Sequence, residues 1–260
     1  MIRLLALVAA VVLTATACDS ASGAHGASAS TTPPATGVCR MLTSAQVADK
    51  SNSTAPVACS ETHDAETFAV GALPTRFAKA AWDDPALDTW AYATCATAFP
   101  IHLGTDESTA MRSLLTWVWF RPSQDAWSAG ARWYRCDVLG GSATQHEYVD
   151  LPTSTKGLLG GRGDDHWMAC ARGRSVDTGT KVPCSMSHDW RAATTIKLGE
   201  ADASYPGDAA AKAKTKSYCA ESIDAWLGYP ASYDFGYTWF GAQEWQAGNR
   251  RSVCWARTTT

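Results

Sequence analysis

The sequence predicts an α+β fold of two tandem disulfide-stapled repeats, each a small antiparallel sheet packed with one main helix. Three observations carry that prediction. Eight of the nine cysteines fall into two sets of four. Cys39, Cys59, Cys95 and Cys136 are separated by 20, 36 and 41 residues, and Cys170, Cys184, Cys219 and Cys254 by 14, 35 and 35. Around the second cysteine of each set, Val57-Ala58-Cys59-Ser60-Glu61-Thr62-His63-Asp64 matches Val182-Pro183-Cys184-Ser185-Met186-Ser187-His188-Asp189 at five of eight places. Before the fourth, Trp127-x-x-Gly130-x-Arg132-x-x-x-Cys136 recurs as Trp245-x-x-Gly248-x-Arg250-x-x-x-Cys254, with Trp119-Phe120 upstream matched by Trp239-Phe240. Spaced motifs repeated in one order mark an internal duplication.

The elements follow in order. Residues 1–17 read as a signal peptide, with Arg3 as the positive end and an apolar stretch from Leu4 to Leu13 that is too short to span a bilayer. Ala15-Thr16-Ala17-Cys18 looks like the cleavage and lipidation site of bacterial lipoproteins, although Ala15 stands where Leu is usual. Acylation of Cys18, by palmitate among other chains, would remove the odd cysteine and leave an even number for disulfides. Residues 18–36 lack aromatics and large aliphatics and read as a lipid-anchored flexible spacer.

The first repeat is expected over 37–140, a connector over 141–165 and the second repeat over 166–257. Each begins with a short apolar segment at its first Cys. A strand is then expected to carry the second Cys and run on through ETFAVGAL or AATTIKL. The main helix of the first repeat starts at Asp84 as N-cap with Pro85 in its first turn and is expected to stop at Pro100. That of the second runs from about Asp208 to Leu227, with Gly228 as its C-terminal cap. Two aromatic β-prone runs joined by a turn close each unit, LLTWVWF with GARWYRCDV and FGYTWF with NRRSVCWA.

Composition limits function. With 46 % hydrophobic and 18 % charged residues, the chain is neither disordered nor a multispanning membrane protein. A net charge of −3 with no long basic run excludes a nucleic-acid partner.

Cys59-x-x-x-His63 and Cys184-x-x-x-His188 have zinc-ligand spacing. In an exported chain, however, four cysteines per repeat pair off as disulfides, so no metal and no other cofactor is expected. Three pairings are open per repeat. First-to-second with third-to-fourth is preferred, because Cys95 with Cys136 and Cys219 with Cys254 then staple helix to sheet.

Ser60, His63 and Asp64, with Ser185, His188 and Asp189, suggest a nucleophile, base and carboxylate. Adjacent residues on an extended segment point to opposite faces, so a structural role is the better reading. Asp83, Asp84 and Asp88 suit a helix start, and Gly157 to Gly163 resembles a phosphate loop only superficially. Trp119, Trp127, Trp239 and Trp245 repeat and are read as sheet packing. Trp82, Trp90, Trp167 and Trp226 do not repeat and are candidate contacts to a glycan or a partner.

Together, Val57-x-Cys59-Ser60-x-x-His63-Asp64-Ala65-Glu66 and the Trp127 to Cys136 motif, repeated from Val182 and Trp245, resemble the septum-formation-related domain of actinobacterial envelope proteins. The likeness covers residues 38–257 as two copies. It implies an extracytoplasmic domain tethered to the membrane, with no catalytic centre to carry over. Many relatives are held by a transmembrane helix, which Cys18 would replace here. Arg191 stands in the place of Glu66, so any role of that carboxylate belongs to the first copy.

The expectation is a non-enzymatic lipoprotein, a binding or scaffold module of septum formation or wall assembly. Its partners would be membrane lipid through Cys18 and envelope proteins or cell-wall glycan. The alternative is a wall-active hydrolase or metal-dependent enzyme using His63 and His188.

Overall fold

The computed structural model describes residues 30–141, 148–161 and 163–258. Cys18, the expected signal peptide and the expected spacer through residue 29 lie outside the described residues. Two antiparallel sheets form the frame. The first comprises β1 (Cys39–Arg40), β2 (Ala65–Ala72), β3 (Thr116–Phe120) and β4 (Trp133–Leu139) in the order β1-β2-β4-β3. The second comprises β5 (Ala169–Arg172), β6 (Thr180–Pro183), β7 (Trp190–Lys197), β8 (Phe235–Thr238) and β9 (Arg251–Arg257) in the order β6-β5-β7-β9-β8.

The duplication holds down to register. Cys39 faces Glu66 and Cys170 faces Arg191, and each second long strand carries a bulge at the same place, between Thr67 and Ala69 and between Ala192 and Thr194. Past the bulge, Ala69 faces Cys136 and Thr194 faces Cys254.

One main helix packs on each sheet, α2 (Pro85–Leu103) on the first and α5 (Asp208–Trp226) on the second; α1 is the short helix Ser44–Ala48. The inward residues recur every fourth position, Leu87, Ala91, Cys95, Phe99 and Leu103 in α2 and Ala211, Thr215, Cys219 and Ile223 in α5. A disulfide welds each helix to its last strand, Cys95–Cys136 and Cys219–Cys254, and Cys39–Cys59 and Cys170–Cys184 close the first loop of each half.

The secondary structure differs from the sequence reading in four places. Cys59 and Cys184 lie in turns, with β2 and β7 starting six residues later at Ala65 and Trp190. The residues before Cys184 instead form β6, of which the first half keeps only a single bridge between Cys39 and Val57. Pro100 does not end α2. It sits in the last turn, where one lost N–H is tolerated because buried Leu103 anchors that turn and left-handed Gly104 (φ 73°) caps it.

The closing hairpins contain short helices rather than tight turns. These are α4 (Gln124–Ser128) and α6 (Ala242–Ala247), each burying the repeated tryptophan, Trp127 or Trp245. Finally, Trp239-Phe240 is not the register partner of Trp119-Phe120. Trp119 faces Cys136 as Tyr237 faces Cys254, so the second pair lies two residues beyond its counterpart, past the end of β8.

The halves are fused, and loop length explains how. The Cys39–Cys59 loop spans 20 residues and supplies α1 to cover the sheet face opposite α2, with Leu42 and Val47 packing over Phe120 and Leu139. The Cys170–Cys184 loop spans 14 and carries no helix. Its sheet is covered instead by α3 (Glu107–Met111) and the following residues of the first half. There Leu114, 5 % exposed, packs among Ala169, Ala171, Trp190, Ala192 and Trp255. Thr195 Oγ1 donates to Ser108 Oγ at 2.9 Å, Arg251 Nε donates to Glu107 Oε2 at 2.6 Å, and Leu114 N donates to Trp167 O at 2.8 Å.

Candidate functional site

The repeated His-Asp pair performs the same task twice. Nδ1 of His63 lies 2.8 Å from Glu61 O and Nδ1 of His188 lies 2.7 Å from Met186 O. A carbonyl only accepts, so both rings carry their proton on Nδ1. Asp64 Oδ1 accepts from Leu42 N and Asp189 Oδ2 from Gly173 N, each at 2.8 Å. Burial pushes the Asp64 carboxyl above the ordinary carboxylate range, against the pull of the Leu42 N–H.

Ser60 and Ser185 are exposed on the turns while both imidazoles are buried, so the serine-histidine-aspartate reading finds no assembled geometry. Cys59 and Cys184 are bonded to Cys39 and Cys170, which takes the thiolates out of the Cys-x-x-x-His spacing. Nε2 of His63 is buried without a hydrogen-bond partner among the described residues.

Glu66 and Arg191, the one chemical divergence noted after the motif, both hold the joining segment, Glu66 near its middle and Arg191 at its C-terminal end. Glu66 Oε2 accepts from Thr155 N at 2.5 Å and Thr155 Oγ1 at 2.6 Å, and Oε1 accepts from Ser154 Oγ at 3.2 Å. Arg191 pairs with Asp165. Leu151 and Leu159 are buried in the first half's core beside Phe99, Leu103 and Val138, so this part of the expected flexible connector is core. Trp167 is buried in the same cluster, which removes it from the candidate glycan contacts.

The Thr155 proton is committed to Glu66, so His102, whose Nε2 lies 2.9 Å from Thr155 Oγ1, must donate there. Burial holds the His102 imidazole below its ordinary pKa, opposed by the Glu66 charge. With the folded value lowered, the unfolded chain binds the extra proton. Stability should therefore rise with pH through the window that ends at about 6.5, be complete above it and fall below it. Unfolding titrations across that window should show the slope in the wild type and a flatter profile in His102→Gln.

On the face opposite α2 the two halves diverge. The first carries a buried polar layer in which Arg40 donates to Thr67 Oγ1 at 2.8 Å, Thr67 Oγ1 donates to Asp137 Oδ1 at 2.7 Å, and Arg135 lies 2.9 Å from Asp137 Oδ2. Arg135 also donates to Asn52 Oδ1 and stacks on Phe120. The register-equivalent positions of the second half are Ala171, Ala192, Trp255 and Val253, all in or against an apolar cluster. Sequence reasoning missed this layer. Its signal was present as Arg135 and Asp137 on alternate places of an otherwise apolar strand, set against Val253 and Trp255.

At the edge of the first sheet lies a cavity of about 200 Å³, lined by Val47, Asp49, Lys50, Asp88, Trp119 and Arg121 among others. Arg121 is wholly buried. Its Nη1 donates to Trp82 O, Nη2 pairs with Asp88, and its guanidinium lies 4.3 Å from the Trp119 ring centre and 5.6 Å from that of Trp82. Nε of Arg121 has no partner among the described residues. Burial lowers the Arg121 pKa, with Asp88, Asp83 and Asp84 acting against it. Of the candidate contact tryptophans, Trp82 borders this site and half-buried Trp90 packs edge-on to Tyr134 at 5.0 Å. Trp226 is 46 % exposed at the end of α5.

Among the described residues no helix is long and apolar enough to cross a membrane. A family model described as septum formation matches the chain twice, over residues 14–120 and 107–254. No curated protein and no solved structure matches it.

Proposed function

The chain belongs to the septum formation family across both halves, and on that premise we propose that it is a binding or scaffold module of the cell envelope, without catalytic activity, held to the membrane by a lipid on Cys18. The family supports an envelope-related place of action. The observation that carries the non-enzymatic reading is the identical use of His63-Asp64 and His188-Asp189 on main-chain groups in both halves. Both imidazoles are buried and each gives its Nδ1–H to a main-chain carbonyl two residues before it, which supports a role in the fold. The Ala15-Thr16-Ala17-Cys18 segment carries the anchoring reading.

Detergent phase partitioning of wild type and Cys18→Ser, with imaging of both in dividing cells, tests it. Wild type should enter the detergent phase and collect at division sites, and Cys18→Ser should enter the aqueous phase. Equal aqueous partitioning would overturn the anchor. A wall-hydrolytic activity that disappears in folded His63→Ala or His188→Ala would overturn the non-enzymatic reading.

A further inference from the structure

We propose that the open end of α5 docks a peptide of a partner protein, one that carries aliphatic side chains and a carboxylate. This deepens the binding-module reading and rests on it. The first half shows what covers such an end. With the helix disulfides in register, residues 95–105 correspond to 219–229. Both helices stop alike, at left-handed Gly104 (φ 73°) and Gly228 (φ 80°), and Thr105 N donates to Pro100 O as Tyr229 N donates to Asp224 O. Beyond that point they part. Over the end of α2 lies the joining segment, where Gly157 N donates to His102 O at 2.8 Å and Leu159 N to Leu103 O at 3.0 Å. Leu151 and Leu159 bury themselves with Phe99 and Leu103, and Glu66 accepts the Thr155 donors.

Among the described residues no segment lies over the end of α5 in this way. The counterpart carbonyls, Trp226 O and Leu227 O, receive no main-chain N–H there. Leu227 is half-buried where its counterpart Leu103 is wholly buried, Trp226 is 46 % exposed and Tyr229 is 73 % exposed. Tyr229 is the second, independent observation. Its φ of 60° makes it the one described non-glycine residue with left-handed backbone, a conformation that a bulky side chain disfavours and that concentrates at functional sites. Thr105, in the same place on α2, turns the chain without it.

The occupant follows from what covers α2 and from one substitution. Two open carbonyls call for N–H donors, which a peptide backbone has and a lipid chain lacks. The exposed rings and Leu227 call for aliphatic side chains, as Leu151 and Leu159 provide on α2. Charge complementarity sets the third feature. Arg191 stands in the register place of Glu66, so the donors that Glu66 receives give way to an acceptor. The Arg191 side chain is 27 % exposed, and its pairing with half-exposed Asp165 shows that a carboxylate suits it. A second copy of this chain has its joining segment already committed to Glu66 and the core of its own first half.

Random peptides displayed on phage, panned on the full chain and counter-selected on the double variant of Trp226→Ala with Tyr229→Gly, test this. Enriched peptides should combine aliphatic residues with Asp or Glu. Their synthetic copies should bind one per chain in calorimetric titration. Trp226→Ala and Arg191→Gln should each weaken binding by about tenfold or more. Ile101→Ala, at an exposed apolar place on α2, should leave it unchanged. Tyr229→Gly removes the ring and the left-handed penalty together, so it should weaken binding with a melting temperature at or above that of wild type. The proposal is overturned by no enrichment over the double variant, by enriched peptides that are basic, or by wild-type affinity in both Trp226→Ala and Arg191→Gln. Self-association of the wild type that Trp226→Ala abolishes overturns it too. A chain that is anchored and septal yet selects no peptide overturns only this inference; one that selects peptides but partitions into water overturns only the anchor.

Discussion

Asp137→Ala is expected to lower the stability of the first half by about 3–5 kcal/mol, the largest effect of any single side chain in the buried polar layer. Asp137 is fully buried between Thr67 and Arg135, with Arg40 one hydrogen bond further away. Truncation leaves two buried guanidinium groups without a counter-charge, and neither can shed its proton near neutral pH. The cost is that of stranding charge rather than of losing an attraction. Arg40→Met and Arg135→Met added to Asp137→Ala should therefore recover most of the loss, since the second half fills the same positions with Ala171, Val253 and Trp255. Denaturant unfolding of the single and triple variants checks both steps. A triple variant no more stable than Asp137→Ala would show that the layer acts through shape rather than charge.

Leu114→Ala should cost about 2–5 kcal/mol, and the loss should appear in the half that Leu114 does not belong to by sequence. The side chain fills the cluster of Ala169, Ala171, Trp190, Ala192 and Trp255, where five small or flat neighbours cannot close over a void. Amide exchange should speed up in β7 and β9 more than in β2 and β4. Uniform loss of protection over both sheets would mean that the halves unfold as one unit. Unchanged protection in β7 and β9 would contradict the role given to α3 and Leu114.

Much of the architecture follows from chain-local physics and was legible for that reason. The cysteine spacing, the Asp84-Pro85 helix start, the Gly228 stop and the alternation of β-prone runs are properties of neighbouring residues, and each has its place in the structure. The sequence left three cysteine pairings open per repeat, and the structure holds the preferred one, in which each main helix is joined to its last strand. The likeness of the repeated motifs likewise matched the family.

What only the tertiary structure decided depends on groups brought together from far along the chain. Arg121 meets Asp88 and Trp82 across 33 and 39 residues, and Glu66 meets Thr155 across 89. Sequence alone presents Glu66 and Arg191 as a mismatch between copies; the fold shows that both anchor the same joining segment, at Thr155 and at Asp165. Tryptophan exposure was equally undecidable, since Trp167 and Trp226 differ only in what the rest of the chain lays over them. The duplication and its disulfides were written locally. The fusion of the halves and the Arg121 cavity arise only where distant segments exclude water together, because burial and electrostatics act through space and carry no sequence period.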